Sequence, residues 1–144
     1  MALEPTWLQD EKMNAQQEFA KDALMNLLDI AEQTFKADIN HIVVGIAGSH
    51  LESHLTLAKL SHPHPTTITH KVLEKIKKQA VEQCEDKNKL VIHTTPTVYN
   101  INDYNKTENP LGFTCNKLLC QYFIVKAQKE YLADIVRLCN LCGL

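Results

Sequence analysis

Four of the five cysteines have a spacing that could do chemistry: Cys115 and Cys120 read C-x4-C, and after a gap Cys139 and Cys142 read C-x2-C. Four thiolates in that order could make a tetrahedral zinc site. Zinc knuckles, however, are usually tighter than C-x4-C and sit beside turn formers. Here Cys120 lies inside an apolar run and the later pair continues one helix face. Core packing is the better account, since free cysteine behaves as a small buried hydrophobe. A redox reading of Cys139-Asn140-Leu141-Cys142 meets a different objection: low-pKa C-x-x-C pairs open helices, where the dipole favours thiolate, and this pair closes one.

The seven histidines invite a metal or acid-base reading, above all His62 and His64 in a proline-rich segment and His50 with His54 four apart. None has the Asp or Glu cluster that would fix a tautomer or complete a ligand set, so they read as exposed loop residues. His93, in a strand, reads as half-buried packing. The run Gly45-Ile46-Ala47-Gly48-Ser49 hints at a phosphate cradle, but it has neither the dinucleotide nor the P-loop spacing. Lys71, Lys75, Lys77 and Lys78 alternate with Glu74 and Glu82 as on a solvated helix face, with Glu74 and Lys78 in the favourable i,i+4 order. No triad, carboxylate pair or strong metal set emerges, so the chain reads as a non-enzyme.

The elements that carry these residues follow from periodicity. Residues 1 to 12 show no period and read as linker or added sequence, with one domain over 13 to 144. Leu24, Leu27, Leu28, Ala31 and Phe35 recur on one face of a helix of about six turns. His41 to Gly48 is β-branched and predicts a strand covered on both faces. His54 to Ala58 alternates and permits a further short strand, whereas Ser61-His62-Pro63-His64-Pro65 reads as a connector. A helix near 69–84 follows, with Thr69 as N-cap, Ile68 and Leu73 as a hydrophobic staple, and Val72, Leu73, Ile76, Ala80 and Val81 as its buried face. Strands are expected near 90–101 and 118–126, and a last helix from Tyr131 to Cys142. The expected fold is α+β: a three-stranded antiparallel sheet (41–48, 90–101, 118–126) with helices packed on one face.

Pro96 cannot donate to a ladder, so its strand belongs at an edge or a bulge. The hairpin it begins should therefore reach the rim. The loop 102–108 is polar apart from Tyr104, which makes Asp103, Tyr104, Lys106 and Glu108 the candidate interface; the plainer reading is a solvated tip.

Composition narrows the function classes. At 144 residues, 44% hydrophobic and 22% charged, the chain has the size and balance of one globular domain. A net charge of -2 gives no bulk attraction to nucleic acid or anionic lipid. No apolar run approaches the ~20 residues of a membrane span, and the first dozen residues do not read as a signal peptide. A cytoplasmic, reducing location is expected, with the odd cysteine number left as thiols.

Two stretches resemble a known family. Val43-Val44-Gly45-Ile46-Ala47-Gly48-Ser49-His50 looks like the run that opens the inserted subdomain of the actin-like cell-division protein FtsA. His93, Pro96, Tyr99 and Ile101, followed by Asn109-Pro110-Leu111-Gly112, match the H-x-x-P-x-x-Y-x-I and N-P-[VL]-G pattern of the same subdomain. The ending, Ile135-Val136-Arg137 through Leu144, is similar to the helix with which the family returns to its core. By eye the likeness runs from about residue 20 to the end.

The resemblance implies an SHS2-type module excised from an actin-like parent at the division septum, peripheral on the cytoplasmic face of the inner membrane. It implies self-association of FtsA and recruitment of later division proteins such as FtsN. The phosphate loops, the FtsZ-binding subdomain and the membrane-binding helix have no counterpart here, so no ATP, FtsZ or direct membrane contact is expected of these residues. A PilM-like module of type IV pilus assembly and a zinc-dependent four-cysteine binding domain stand as alternatives.

Overall fold

The computed structural model describes residues 15–144. The 1–12 segment and the start of the domain at residue 13 lie outside the described residues. The chain forms two compact units, one made of the segments around residues 15–48 and 129–144, the other of Ser49–Gln128.

The second unit is an antiparallel sheet of β1 (Leu51–Thr67), β2 (Lys89–Ile101), β3 (Asn105–Thr107) and β4 (Thr114–Gln128), in the spatial order β1-β4-β2-β3, with α2 (His70–Glu82) on one face. β4 is the inner strand that is paired along most of its length on both sides. It pairs with β1 over Leu51–Ser61 without a break and with β2 on its other side. Alternation along the pleat sends Leu118, Cys120, Tyr122 and Ile124 to one face, each fully buried, with Ala58, Leu60, Tyr99 and Ile101 from the neighbouring strands. Ile76 and Ala80 of α2 complete this core, and Val72 and Leu73 pack against it.

Thr69 stands at the N-cap position with extended backbone, but its side chain makes no capping hydrogen bond. Its carbonyl accepts from the amides of Val72 and Leu73 instead (3.0 and 3.1 Å). The staple residue Ile68 is buried and holds the helix entry to the loop before β4: its amide donates to the Phe113 carbonyl at 2.8 Å, and its carbonyl accepts from Gly112 at 3.0 Å.

The α+β class and the antiparallel pairing of the strands near 90–101 and 118–126 are as expected, but the sheet has four strands, not three. Residues 41–47 form no strand. Ile42, Val43 and Val44 have the right β-branched character, but a strand needs a ladder partner and none is present among the described residues; all three are exposed. The first strand comes later, and it absorbs the predicted connector. Pro63 and Pro65 are tolerated because β1 is an edge strand and because its register slips between Ser61 and Thr66, where five steps on β1 match two on β4. The short β3 was read as loop. It has no apolar alternation, and its place is set by the hairpin that delivers it to Tyr99–Ile101.

The first unit contains α1 (Ala15–Phe35) and α3 (Lys129–Leu141), which touch each other. The Gln17 amide donates to Asp134 at 2.9 Å, and Glu32 accepts the Ile39 backbone N–H at 3.0 Å beyond the helix end. The expectation of several helices on the sheet thus reduces, within the sheet unit, to α2 alone. Among the described residues no helix is long and apolar enough to cross a membrane.

Because Ile76 is fully enclosed in the core between α2 and the sheet, Ile76→Ala is expected to destabilise the sheet unit by about 2–5 kcal/mol, read from the urea midpoint at unchanged slope. A loss below about 1 kcal/mol would mean that α2 is not a structural part of this core.

Candidate protein-interaction surface

The hairpin between β2 and β3 is built from its backbone outward. Asn102 and Asp103 both adopt positive φ, 51° and 66°, a conformation in which Asn and Asp are enriched among non-glycine residues. The turn closes with the Tyr104 amide donating to the Ile101 carbonyl (3.2 Å). Asn102 then ties the tip to β4: its side-chain oxygen accepts from the amides of Asn116 and Lys117 (3.0 and 3.1 Å), and its own amide donates to the Lys117 carbonyl (2.9 Å). Asp103 adds an ion pair with Lys117 at 2.6 Å.

Of the four candidate interface residues, Asp103 is therefore engaged within the fold. Tyr104, by contrast, is 94% exposed, and Lys106 and Glu108 are exposed beside it. Sequence reasoning found the tip but missed Asn102 and Lys117, which hold it. The signal available was Asn-Asp at a hairpin centre.

The strand leading to this hairpin carries two one-residue bulges, at Ile92 and Thr97. The second follows Pro96, as its missing donor required, and the Thr97 hydroxyl donates to the Gln121 carbonyl at 2.9 Å in compensation. The first explains an error. The extra residue turns His93 to the open face, opposite Val125, so it is exposed and contacts Thr95 at 2.6 Å instead of packing half-buried.

The remaining candidates are scattered. Cys115 and Cys120 are buried in the sheet unit, while Cys139 and Cys142 are half-buried in the helical unit. Burial pushes the Cys120 thiol up to about 11, so it stays protonated at neutral pH. Among the described residues no group of three or more His, Cys, Asp or Glu is arranged to hold a metal. His50 pairs with Gln128 at 3.0 Å, and His54 Nε2 lies 2.6 Å from a Glu52 oxygen. His62 and His64 belong to β1 and not to a loop, and His62 is half-buried. On α2 the i,i+4 ion pair is Lys78 with Glu82 (3.7 Å), in place of the expected Glu74–Lys78.

The loop that returns to β4 carries the second of the motifs on which the resemblance rested. Asn109 is braced by Thr107, Pro110 is buried, and the turn from Pro110 to Phe113 needs the positive φ of Gly112 (81°) at its third position. These are the residues of the N-P-L-G motif, set between the hairpin and the inner strand. Residues 48–126 match the family model of the SHS2 domain inserted in FtsA, more than half of the chain and nearly the whole sheet unit. The chain belongs to that family. Among curated proteins no match is found. The SHS2 match begins at residue 48, so the similarity seen by eye in 20–47 and 127–144 lies outside it.

At one end of the SHS2 sheet, Lys89 bonds Glu52 across the strands. That bond lowers the Glu52 pKa from its ordinary 4.5, and the bond from the Asn88 amide lowers that of Asp86. Depressed carboxylates stabilise the fold above their unfolded pKa, and this contribution is lost as pH falls through the folded values. The stability of the SHS2 unit should accordingly fall on the acid side of about pH 4.5. Glu52→Gln should flatten this acid limb in urea titrations at several pH values.

Asn102→Ala should cost about 1–3 kcal/mol, since it removes the one side-chain oxygen that accepts from two backbone amides and puts alanine at positive φ. Asn102→Gly restores the backbone freedom alone and should recover only part of the loss. Equal stability of Asn102→Ala and the parent in urea melts would show that the tip is not held by this side chain.

Proposed function

We propose that the chain is the protein-interaction module of an FtsA-type cell-division protein, serving self-association and recruitment of later division proteins such as FtsN at the septal FtsZ ring. The SHS2 match across the sheet unit is the observation that carries this reading. The module works by binding and does no chemistry of its own. It takes neither ATP nor zinc, and the burial of Cys115 and Cys120 in the apolar core supports that assignment. Contact with FtsZ and with the cytoplasmic face of the membrane belongs to other parts of such a protein.

The recruiting surface is the hairpin tip. Tyr104 supplies a large contact area with little rotamer freedom to lose, and Lys106 and Glu108 flank it with charges of both signs. Asp103 and Asn102 hold the tip in place, which lowers the ordering cost of binding.

Fluorescence anisotropy of a labelled cytoplasmic segment of FtsN, titrated with the 144-residue chain, tests the assignment. Tyr104→Ala with Glu108→Lys should weaken binding about tenfold or more while leaving the melting temperature unchanged, because both side chains are exposed. Unaltered affinity would move the interface away from the tip. Absence of binding by the parent chain at high micromolar concentration would remove the recruiting role.

A further inference from the structure

The two margins of the sheet are guarded unequally. On the β2 side, β3 covers Tyr99–Ile101, and the remainder is broken by the bulges at Ile92 and Thr97 and by Pro96. These are the devices by which proteins prevent edge-to-edge pairing. On the other side, β1 keeps unbroken register with β4 from Leu51 to Ser61, and its prolines fall beyond that stretch. No strand lies along its outer side among the described residues. Eleven residues of regular strand therefore present alternate backbone N–H and C=O groups outward. Two leucines of this strand, Leu55 and Leu57, are 65% and 59% exposed on the sheet face that α2 leaves open, next to Phe123.

We infer that the Leu51–Ser61 edge pairs antiparallel with the same edge of a second copy of this chain, about a two-fold axis at Thr56. The strand is self-complementary in that register. Leu55 stands opposite Leu57 of the second copy, and Leu57 opposite its Leu55, so two apolar cross-strand pairs flank the axis on the open face. Ser53 meets Lys59 and Glu52 meets Leu60, so no like charges are opposed. The product is one continuous sheet in the order β3-β2-β4-β1-β1-β4-β2-β3, with both free edges at the guarded margin. The choice of a second copy as occupant rests on the self-association part of the function proposed above; the exposed edge itself does not.

Sedimentation velocity of the intact chain over a concentration series should show a monomer–dimer equilibrium. Leu55→Lys with Leu57→Lys, at positions exposed in the monomer, should raise the dimer dissociation constant about a hundredfold or more while leaving unchanged the thermal midpoint measured at concentrations where the parent is monomeric. Hydrogen exchange of the amides between Leu51 and Ser61 should slow as concentration rises. A dimer indifferent to the double substitution would overturn this surface and leave self-association to another one. A chain that stays monomeric, with β1 exchange independent of concentration, would overturn the pairing and self-association of this module together. The anisotropy titration with FtsN reads the recruiting role separately in either case.

Discussion

β4 has a neighbour on each side, and that position constrains everything else in the SHS2 unit. A strand flanked by β1 and β2 satisfies its backbone groups on both edges, so its register is fixed twice, and a one-residue slip would turn Leu118, Cys120, Tyr122 and Ile124 out of the core. These four side chains form the floor on which α2 lies. The floor is not wholly apolar. Tyr99 stands opposite Cys120, with Tyr122 two residues further along β4, and the Cys120 thiol donates to the Gln121 carbonyl at 3.6 Å. Burial raises the pKa of all three, so the cluster stays neutral and specifies packing without carrying charge.

With β4 fixed, the irregularities of β2 become adjustments of aim. Each bulge adds one residue and changes which side chain faces the core. Between them Thr94 and Pro96 face inward, and after the second Tyr99 and Ile101 return to the buried face. A strand with only one of the two bulges would have placed Tyr99 on the solvent side; the second restores it to the core face. The same strand then enters a turn whose left-handed residues are bonded back to Lys117, two residues beyond the point where β4 enters the core at Cys115. The exposed tip is thereby coupled to the most buried strand of the molecule.

Much of this was legible in the residues, and the failures share one cause. α1, α2, β2, β4 and α3 announce themselves by periodicity, and Pro96 correctly signalled a bulge. Tyr104, Lys106 and Glu108, the candidate interface, were read as exposed positions on a hairpin, and their exposure is a property local to the sequence. What failed depended on neighbours. The run Ile42–Ile46 looks more like a strand than Leu51–Thr67 does, yet only the latter has β4 beside it. His93 was assigned to the wrong face because a bulge leaves almost no trace in composition. The engagement of Asp103 by Lys117, fourteen residues away, is likewise invisible until the sheet is assembled.

The strand order has a further consequence for how one small unit could serve two partners. β1 and β3 are the outermost strands, three interstrand spacings apart, which is about 14 Å across the sheet. Pairing through the β1 edge leaves Tyr104 and the β2–β3 hairpin uncovered, and occupation of the tip leaves the β1 edge free. On the proposed function, self-association and recruitment need not compete for surface, although both would depend on β4 for their geometry. In a two-fold pair the sheet continues through the axis, so the two tips lie at opposite margins, six strand spacings beyond the two paired edges taken together, or about 30 Å of sheet plus the new junction. A dimer of this kind presents two separate recruiting tips, so a clustered partner can gain avidity from two sites that are individually weak.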